Sequence, residues 1–231
     1  IWTDVAGIYT TDPRVVPEAK RIDTMSFAEA AEMATFGAKV LHPATLLPAV
    51  RSNIPVYVGS SKAPDAGGTW VTRDPQPRPT FRAIAVRRDQ TLLTLSSLSM
   101  LHAQGFLANV FNILAKYKIS VDTITTSEVS IALTLDKTGS ASSGVELLSP
   151  ELLEELSQYC TVKVDTGLSL VALIGNDLHL ASGVAKRIFD TLEGYNIRMI
   201  SYGASTNNIC MLAHSDKADD VVRSLHKSLF E

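Results

Sequence analysis

Two carboxylates and a glycine in the middle of the chain are the residues best suited to bind a small charged ligand. Gly105 permits a sharp entry into a predicted helix, whose first backbone N–H groups, at Phe106 and Leu107, can receive a carboxylate. Asp122 and Glu128 lie on the strand pair predicted next, and if they approach the same pocket they suit an ammonium group. This set matches an amino acid, above all one with a second amine. Alternatively, the two carboxylates are solvated strand ends and Gly105 is an ordinary turn.

An internal repeat helps to choose between these interpretations. The segment 105–119 recurs as 183–197, at an offset of 78 residues, with its apolar positions kept. At the same offset, Ile200 occupies the position that corresponds to Asp122, and Thr206 occupies the position that corresponds to Glu128. Repetition at this length indicates duplicated supersecondary units. Because a purely structural carboxylate has no special reason to occur in one copy only, the comparison favours a ligand site in the first copy.

A polar loop near the start of the chain could bind a nucleotide. Tyr9 can cover a base, Arg14 can fork onto phosphate oxygens, and Asp4 can accept from a base or sugar donor. On these residues alone, a surface turn capped by Asp12 is the favoured interpretation. Lys39 follows a predicted helix, where a lone cation often only complements the helix dipole.

Composition and charge exclude several classes of function. The 231 residues carry a net charge of −3 with scattered basic residues, so neither nucleic acid nor an anionic membrane is expected as a partner. The longest wholly apolar run, 170–174, is far below the roughly 20 residues that cross a bilayer. No histidine has metal-ligand spacing to a second ligand, so no metal site is predicted.

Cysteine usage fits a reducing cytoplasm. Cys160 and Cys210 occur in strand-like apolar settings without a CxxC or Cys/His pattern, so buried free thiols are favoured over a disulfide or a metal site. The chain begins with Ile1 rather than Met, and we expect that the natural N-terminus is absent. Targeting signals therefore cannot be judged from this sequence.

The pattern of elements predicts an α/β (α+β) fold in several parts. A capping signature at Ser26 and Glu29 starts a helix that is expected to break near Pro43, and a second short helix and a buried strand at 56–58 follow. The alternating prolines of 75–80 predict an extended linker. Each repeat then reads strand, helix, strand, strand, helix. Because the second repeat lacks a closing strand, we predict that the strand at 82–86 completes it and that the first module is inserted within the second.

Parts of this sequence resemble the aspartokinase family. The segments 2–14 and 27–43, which include Trp-Thr-Asp and Phe-Gly-Ala-Lys-Val-Leu-His-Pro, resemble the C-terminal part of its amino acid kinase domain. The two repeats resemble its tandem ACT domains, which are ferredoxin-like βαββαβ modules. The segments 100–107 and 119–129 resemble the lysine-sensitive monofunctional type. The implied domains are residues 1–74 for the kinase part, 75–80 for the linker, 91–168 for the first ACT domain, and 81–90 with 169–231 for the second.

The resemblance implies ATP-dependent phosphorylation of L-aspartate with Mg²⁺, and feedback inhibition by L-lysine. The implied ATP-binding residues are Thr3, Asp4, Tyr9, Arg14 and Lys39. The family's Lys-Phe-Gly-Gly motif and most of its aspartate-binding residues are not in this sequence. The catalytic residues are therefore expected in a missing N-terminal part, and this chain alone is expected to be inactive.

The resemblance also implies an effector site between two copies of the first ACT domain. Its implied residues are Met100, Ala103, Phe106, Leu107, Ser120, Val121, Asp122 and Glu128. Relatives often carry serine where this chain has Ala103, which puts a hydroxyl contact there in doubt. A homodimer at least is expected, since ACT edge strands commonly pair across subunits, and a tetramer is left open.

Two other functions remain as alternatives. A stand-alone amino-acid sensor would use the repeats without kinase activity, but it would have no use for the nucleotide-like segment 1–60. A bifunctional aspartokinase and homoserine dehydrogenase, which responds to threonine, would continue well past the second repeat.

Overall fold

A computed structural model describes residues 1–37, 40–41, 43–101, 104–136 and 147–231. Contacts divide the chain into two units, and each is described by itself. Unit one comprises residues 1–87, 170–198 and 202–231, and unit two comprises residues 88–169 and 199–201. The mixed α/β fold class is as predicted. The boundaries given above for the kinase part and the two ACT domains stay a prediction.

Unit one begins with a small mixed sheet and two helices. Its elements are β1 (Trp2–Thr3), β2 (Thr24–Ser26), α1 (Phe27–Thr35), α2 (Pro43–Ser52), β3 (Val56–Ser60) and β4 (Gly68–Thr72). The strand order is β1-β3-β4-β2. β1 is parallel to β3, β2 is parallel to β4, and the two pairs meet through antiparallel β3 and β4.

The two repeats share two long strands. The elements are β5 (Phe81–Ser96), α3 (Phe106–Lys116), β6 (Val121–Thr126), β7 (Ser130–Asp136), α4 (Pro150–Ser157), β8 (Thr161–Gly175), α5 (Val184–Thr191), β9 (Ile197–Tyr202), β10 (Asn208–His214) and α6 (Ala218–Phe230). Hydrogen-bonded neighbours follow the order β8-β5-β7-β6 for the first repeat and β5-β8-β10-β9 for the second. Asn176 N donates to Thr80 O at 3.1 Å, so the start of β5 lies beside the end of β8.

The core of unit two follows from the periodicity of its sequence. Alternate residues of β5 and β7 point to one face, and residues three or four apart on α3 and α4 cover that face. The buried set is Leu93, Leu95, Val110, Ile113, Leu114, Ile119, Ile131, Leu133, Leu135, Leu152 and Leu156.

Helix α1 starts where the sequence predicted and ends earlier. Ser26 caps it, with Glu29 N donating to Ser26 Oγ at 3.1 Å and Ser26 N donating to Glu29 Oε2 at 2.6 Å. The predicted break near Pro43 is wrong, because the helix ends at Thr35. Gly37 then has φ of 109°, a conformation that side chains rarely adopt, and it turns the chain out of the helix.

We expect Gly37→Ala to destabilise unit one. A Cβ atom there would lie 2.3 Å from Val86 O, and the positive φ alone costs about 1–3 kcal/mol for a residue with a side chain. Urea unfolding measures the loss. Gly194→Ala is the matched control, because its added methyl meets nothing within 4 Å. Equal stability of Gly37→Ala and wild type would show that this close approach does not exist in solution.

Candidate functional site

The glycine turn before α3 has the conformation that its predicted role requires. Gly105 has φ of 83° and ψ of 1°, and no side chain caps the helix that follows. Gly183, its counterpart before α5, has φ of 80° and ψ of −4°, also without a side-chain cap. The turn is therefore a property of the repeat, and only the side chains around it distinguish the first copy from the second.

Asp122 occupies a β-bulge. Val121 is opposite Leu135 and Thr123 is opposite Thr134, which leaves Asp122 as an extra residue on β6. Thr123 N donates to the hydroxyl of buried Thr134 at 3.0 Å. Bulges re-aim the side chain of the extra residue, and they often occur beside functional sites. Sequence reasoning selected Asp122 for its charge and did not predict the bulge.

Within one chain, Asp122 and Glu128 lie toward opposite ends of β6. Thr126 is opposite Ile131, and Glu128 follows in the turn to β7. Between residues 122 and 126 an extended strand covers about 13 Å. Ser97 N donates to Val129 O at 2.9 Å, so this turn lies beside the segment that leads to Gly105. One chain therefore does not bring both carboxylates into a single pocket. The interpretation based on charge required such a pocket.

We group the implied effector residues into two half-sites. Half-site A comprises Met100, Phe106, Leu107 and Glu128, together with Gly105, the turn that begins α3. Half-site B, at the start of β6, contains Ser120, Val121 and Asp122. Met100, Phe106 and Val121 are partly buried against the core of unit two, whereas Leu107 is 43% exposed. Ala103 lies outside the described residues.

Two of the implied nucleotide residues lie at the carboxyl end of a parallel strand pair. Thr3 ends β1 opposite Ser60 of β3, and Ser61 N donates to Thr3 O at 2.8 Å. Thr3 Oγ1 donates to Asp4 Oδ1 at 3.2 Å, and Asp4 is exposed. Ligands of open α/β sheets bind outside the carboxyl ends of the strands. This edge therefore has both the position and the polar groups of a ligand site.

Arg14 belongs to a turn that Asp12 organises. Asp12 Oδ1 accepts from Arg14 N at 2.9 Å, and Asp12 Oδ2 accepts from Arg14 Nη2 at 2.7 Å. The hydrogen bond to Asp12 raises the pKa of Arg14, so the guanidinium stays charged. The capped turn of the alternative interpretation is thus present, yet the Arg14 side chain is 89% exposed and can approach an anion. Tyr9 is half-buried and forms an antiparallel bridge with Arg21. Lys39 lies outside the described residues.

Sequence reasoning missed two residues that contact this loop. Arg223 Nε of α6 donates to Val15 O at 3.1 Å, and His226 Nε2 is 3.0 Å from Thr10 Oγ1. Both partners are more than 200 positions away in the sequence, and no local pattern could have indicated them.

We expect His226 to make the stability of unit one fall at mildly acidic pH. Burial lowers the pKa of His226 below its ordinary value of 6.5, although Glu231, 3.9 Å from Nδ1, acts in the opposite direction. The unfolded chain therefore takes up a proton at a higher pH than the folded chain does. Stability is complete above pH 6.5 and is lost as the pH falls from there toward the folded pKa. Lys20 and Glu18 contribute smaller effects of opposite sign.

Urea midpoints at pH 8 and pH 5 measure this dependence. His226→Gln should flatten it, while the exposed His214→Gln should leave it unchanged. An equal loss of stability in wild type and His226→Gln between these pH values would assign the pH dependence to other groups.

The described residues contain no group of three or more His, Cys, Asp and Glu residues placed to hold a metal ion. Over the same described ranges, no helix has the length and apolar character needed to span a bilayer. Cys160 and Cys210 are free thiols, and burial raises the pKa of Cys210 to about 12.

Comparison with known proteins identifies two families of domain in this chain. An amino acid kinase family model matches residues 1–60, and an ACT domain model matches residues 171–229. The chain is 68% identical over its 231 residues to lysine-sensitive aspartokinase 3 of Escherichia coli (strain K12), of which it covers 51%. It thus spans about half the length of the curated relatives that it matches.

Solved structures of the E. coli protein give the same result. A crystal structure of aspartokinase III in complex with aspartate and ADP matches with a TM-score of 0.93 at 68% identity, over all of this chain and 52% of that one. A second structure, in complex with lysine and aspartate, matches with a TM-score of 0.89 at 67% identity, over all of this chain and 51% of that one. By sequence and by fold, the chain is similar over its whole length to about half of an aspartokinase.

Proposed function

We propose that the protein carrying this chain is an aspartate kinase inhibited by L-lysine. It transfers the γ-phosphoryl group of ATP to the β-carboxylate of L-aspartate and forms 4-phospho-L-aspartate, the first step toward lysine, threonine and methionine. The observation that carries the proposal is 68% identity, over the whole chain, to a relative solved with aspartate and ADP. We expect a cytoplasmic enzyme.

The chain contributes the nucleotide side of the active site. Asp4, exposed at the carboxyl end of β1, accepts from a base or sugar donor, and Arg14 neutralises phosphate oxygens. Tyr9 covers the base. Catalysis of phosphoryl transfer is chiefly positioning and charge neutralisation. Mg²⁺ supplies part of that neutralisation in such enzymes, but the described residues offer no group of three ligands for it.

The lysine site is assigned to an interface between two copies of the first repeat. Half-site A offers the uncapped start of α3 for the lysine carboxylate, and half-site B offers Asp122 for an ammonium group. The two half-sites lie at opposite ends of β6 in one chain, so one ligand contacts both only if a second copy supplies one of them. A homodimer is therefore the smallest competent assembly, and a tetramer can be built from two of them.

Inhibition follows from differential binding. Lysine holds an arrangement of low activity more tightly than the active one, and the population shifts accordingly. A coupling free energy of about 1–3 kcal/mol is typical of such effects.

The test uses the full-length protein and, separately, this chain. Hydroxylamine trapping of the acyl phosphate, with ATP and each candidate amino acid, reports the reaction and its inhibition by lysine or threonine. We expect aspartate-dependent activity that lysine inhibits and threonine does not. This chain alone should bind lysine in calorimetry without activity. An inactive full-length protein that still binds lysine would instead support the stand-alone amino-acid sensor.

A further inference from the structure

The loop that carries Tyr9 and Arg14 is held in place by the C-terminal helix. Arg223 Nε donates to Val15 O at 3.1 Å, and His226 Nε2 is 3.0 Å from Thr10 Oγ1. These contacts lie on either side of the turn formed by residues 12–14. The helix therefore contacts the loop four residues before Arg14, at Thr10, and directly after it, at Val15.

Thr10 connects this loop to several other segments of unit one by hydrogen bonds. Its N–H donates to Lys20 O at 2.8 Å, its carbonyl accepts from Ile84 N at 2.7 Å, and its hydroxyl accepts from Lys20 N at 3.0 Å. The contact with His226 connects Thr10 to α6. Thr10 thus holds the loop against the helix.

His226 occupies a buried position that an apolar side chain could fill without a desolvation cost. Its side chain is 0% exposed, and its ring stacks on Phe230 with centroids 5.0 Å apart and an interplanar angle of 12°. Nδ1 is buried without a hydrogen-bond partner. Burying an imidazole carries a desolvation cost. The polar contact that offsets this cost is the one to the loop.

Arg14 depends on this support. Its side chain is 89% exposed, and its guanidinium donates hydrogen bonds to Asp12, two residues away in the same turn. Those contacts shape the turn, but they do not fix the turn against the rest of unit one. Its position is fixed by what holds Thr10 and Val15.

We propose that Arg223 and His226 are positioning residues for the nucleotide, acting through the loop that bears Tyr9 and Arg14. The inference rests on the proposed function, because it takes this loop to be part of the ATP site. It assigns to the last helix of the second repeat a role in ATP affinity. Loss of either contact should raise the KM for ATP by about 3- to 10-fold, with smaller changes in the KM for aspartate and in kcat.

The experiment compares variants of the full-length protein. Arg223→Ala and His226→Leu remove the contacts, and His226→Gln retains a polar atom near the position of Nε2. Lys227→Ala, an exposed change on the same helix, is the matched control. Initial rates give kcat and both KM values, and thermal unfolding gives stability. We expect a raised KM for ATP in Arg223→Ala and His226→Leu, partial recovery in His226→Gln, and wild-type values in Lys227→Ala.

The outcomes separate the inference from the proposed function. An active wild type, with an unchanged KM for ATP in folded Arg223→Ala, overturns the inference alone. A lower unfolding temperature with unchanged KM values shows a purely structural role and also overturns it. If His226→Leu does not fold, the exposed Arg223 decides the question. A wild type without ATP-dependent activity overturns the proposed function, and the inference falls with it.

Discussion

Replacing Asp122 with asparagine should abolish lysine inhibition while aspartate kinase activity persists. Asparagine keeps the shape of the side chain and removes the charge that we propose faces the ligand ammonium. Truncating one partner of a desolvated charge pair costs about 2–5 kcal/mol, which corresponds to a loss in affinity of roughly 30-fold to more than 1,000-fold. The measurement is the lysine concentration that halves activity, together with calorimetric titration of lysine.

Glu154→Gln is the matched control for this change. It removes one negative charge from an exposed position on α4 of the same unit. It should leave the lysine response unchanged. If Asp122→Asn retained wild-type inhibition, half-site B would have no part in recognising the effector.

A mixing experiment extends the same prediction to the assembly. Asp122→Asn disables half-site B, and Glu128→Gln combined with Phe106→Ala disables half-site A. If each site uses A from one copy and B from another, a mixed dimer has one intact site. Equal mixing of exchanging dimers then restores lysine binding in about one site in four. No restoration by a mixture that demonstrably exchanges subunits would place the whole site within one chain.

Local features of this fold could be predicted from the sequence, because short-range contacts determine them. The start of α1 at Phe27 follows from reciprocal hydrogen bonds between Ser26 and Glu29, three residues apart. The start of α3 follows from Gly105 and the apolar spacing after it. The end of α1 could not be predicted in this way, since the turn at Gly37 is selected by its close approach to Val86, which is distant in sequence.

The same distinction between short-range and long-range contacts applies to the candidate sites. Charge and the internal repeat selected Asp122 and Glu128, but the register of β6 against β7 places Asp122 in a bulge. Register depends on pairing between strands and on bulges, and neither has a reliable local signal. The contacts from Arg223 and His226 to the nucleotide loop are longer in range still, and only the folded chain brings them together.

Arg82→Met should destabilise unit one by about 3–5 kcal/mol, since it leaves a buried carboxylate without its counter-ion. The side chain of Glu29 is 1% exposed, and Glu29 Oε1 accepts from Arg82 Nε at 2.6 Å and from Asn176 Nδ2 at 2.7 Å. Glu29 Oε2 accepts from Ser26 N at 2.6 Å. Arg82 Nη2 also donates to Pro77 O at 2.8 Å. The ion pair thus joins α1 to β5, and hydrogen bonds connect it to the linker and to the residue that follows β8.

The pH dependence of this effect has a definite sign. Burial raises the pKa of Glu29, but hydrogen bonds from Arg82, Ser26 and Asn176 outweigh it and leave the pKa below the ordinary 4.5. The stability that the pair contributes is therefore complete above pH 4.5 and is lost as the pH falls through the folded pKa. Without Arg82 the carboxylate takes up a proton more readily. The difference between wild type and Arg82→Met should accordingly be largest near pH 7 and should shrink toward pH 4.

Urea unfolding followed by circular dichroism measures both effects. Arg78→Met, an exposed change in the same linker, should stay within about 0.5 kcal/mol of wild type. Adding Glu29→Gln to Arg82→Met should recover part of the loss, because a neutral amide no longer requires a counter-ion and its one carbonyl oxygen can still accept from either Ser26 N or Asn176 Nδ2. A double variant less stable than Arg82→Met alone would mean that hydrogen bonding to the carboxylate, rather than its unpaired charge, dominates at this junction. The predicted shrinking of the difference at acidic pH would then be absent as well.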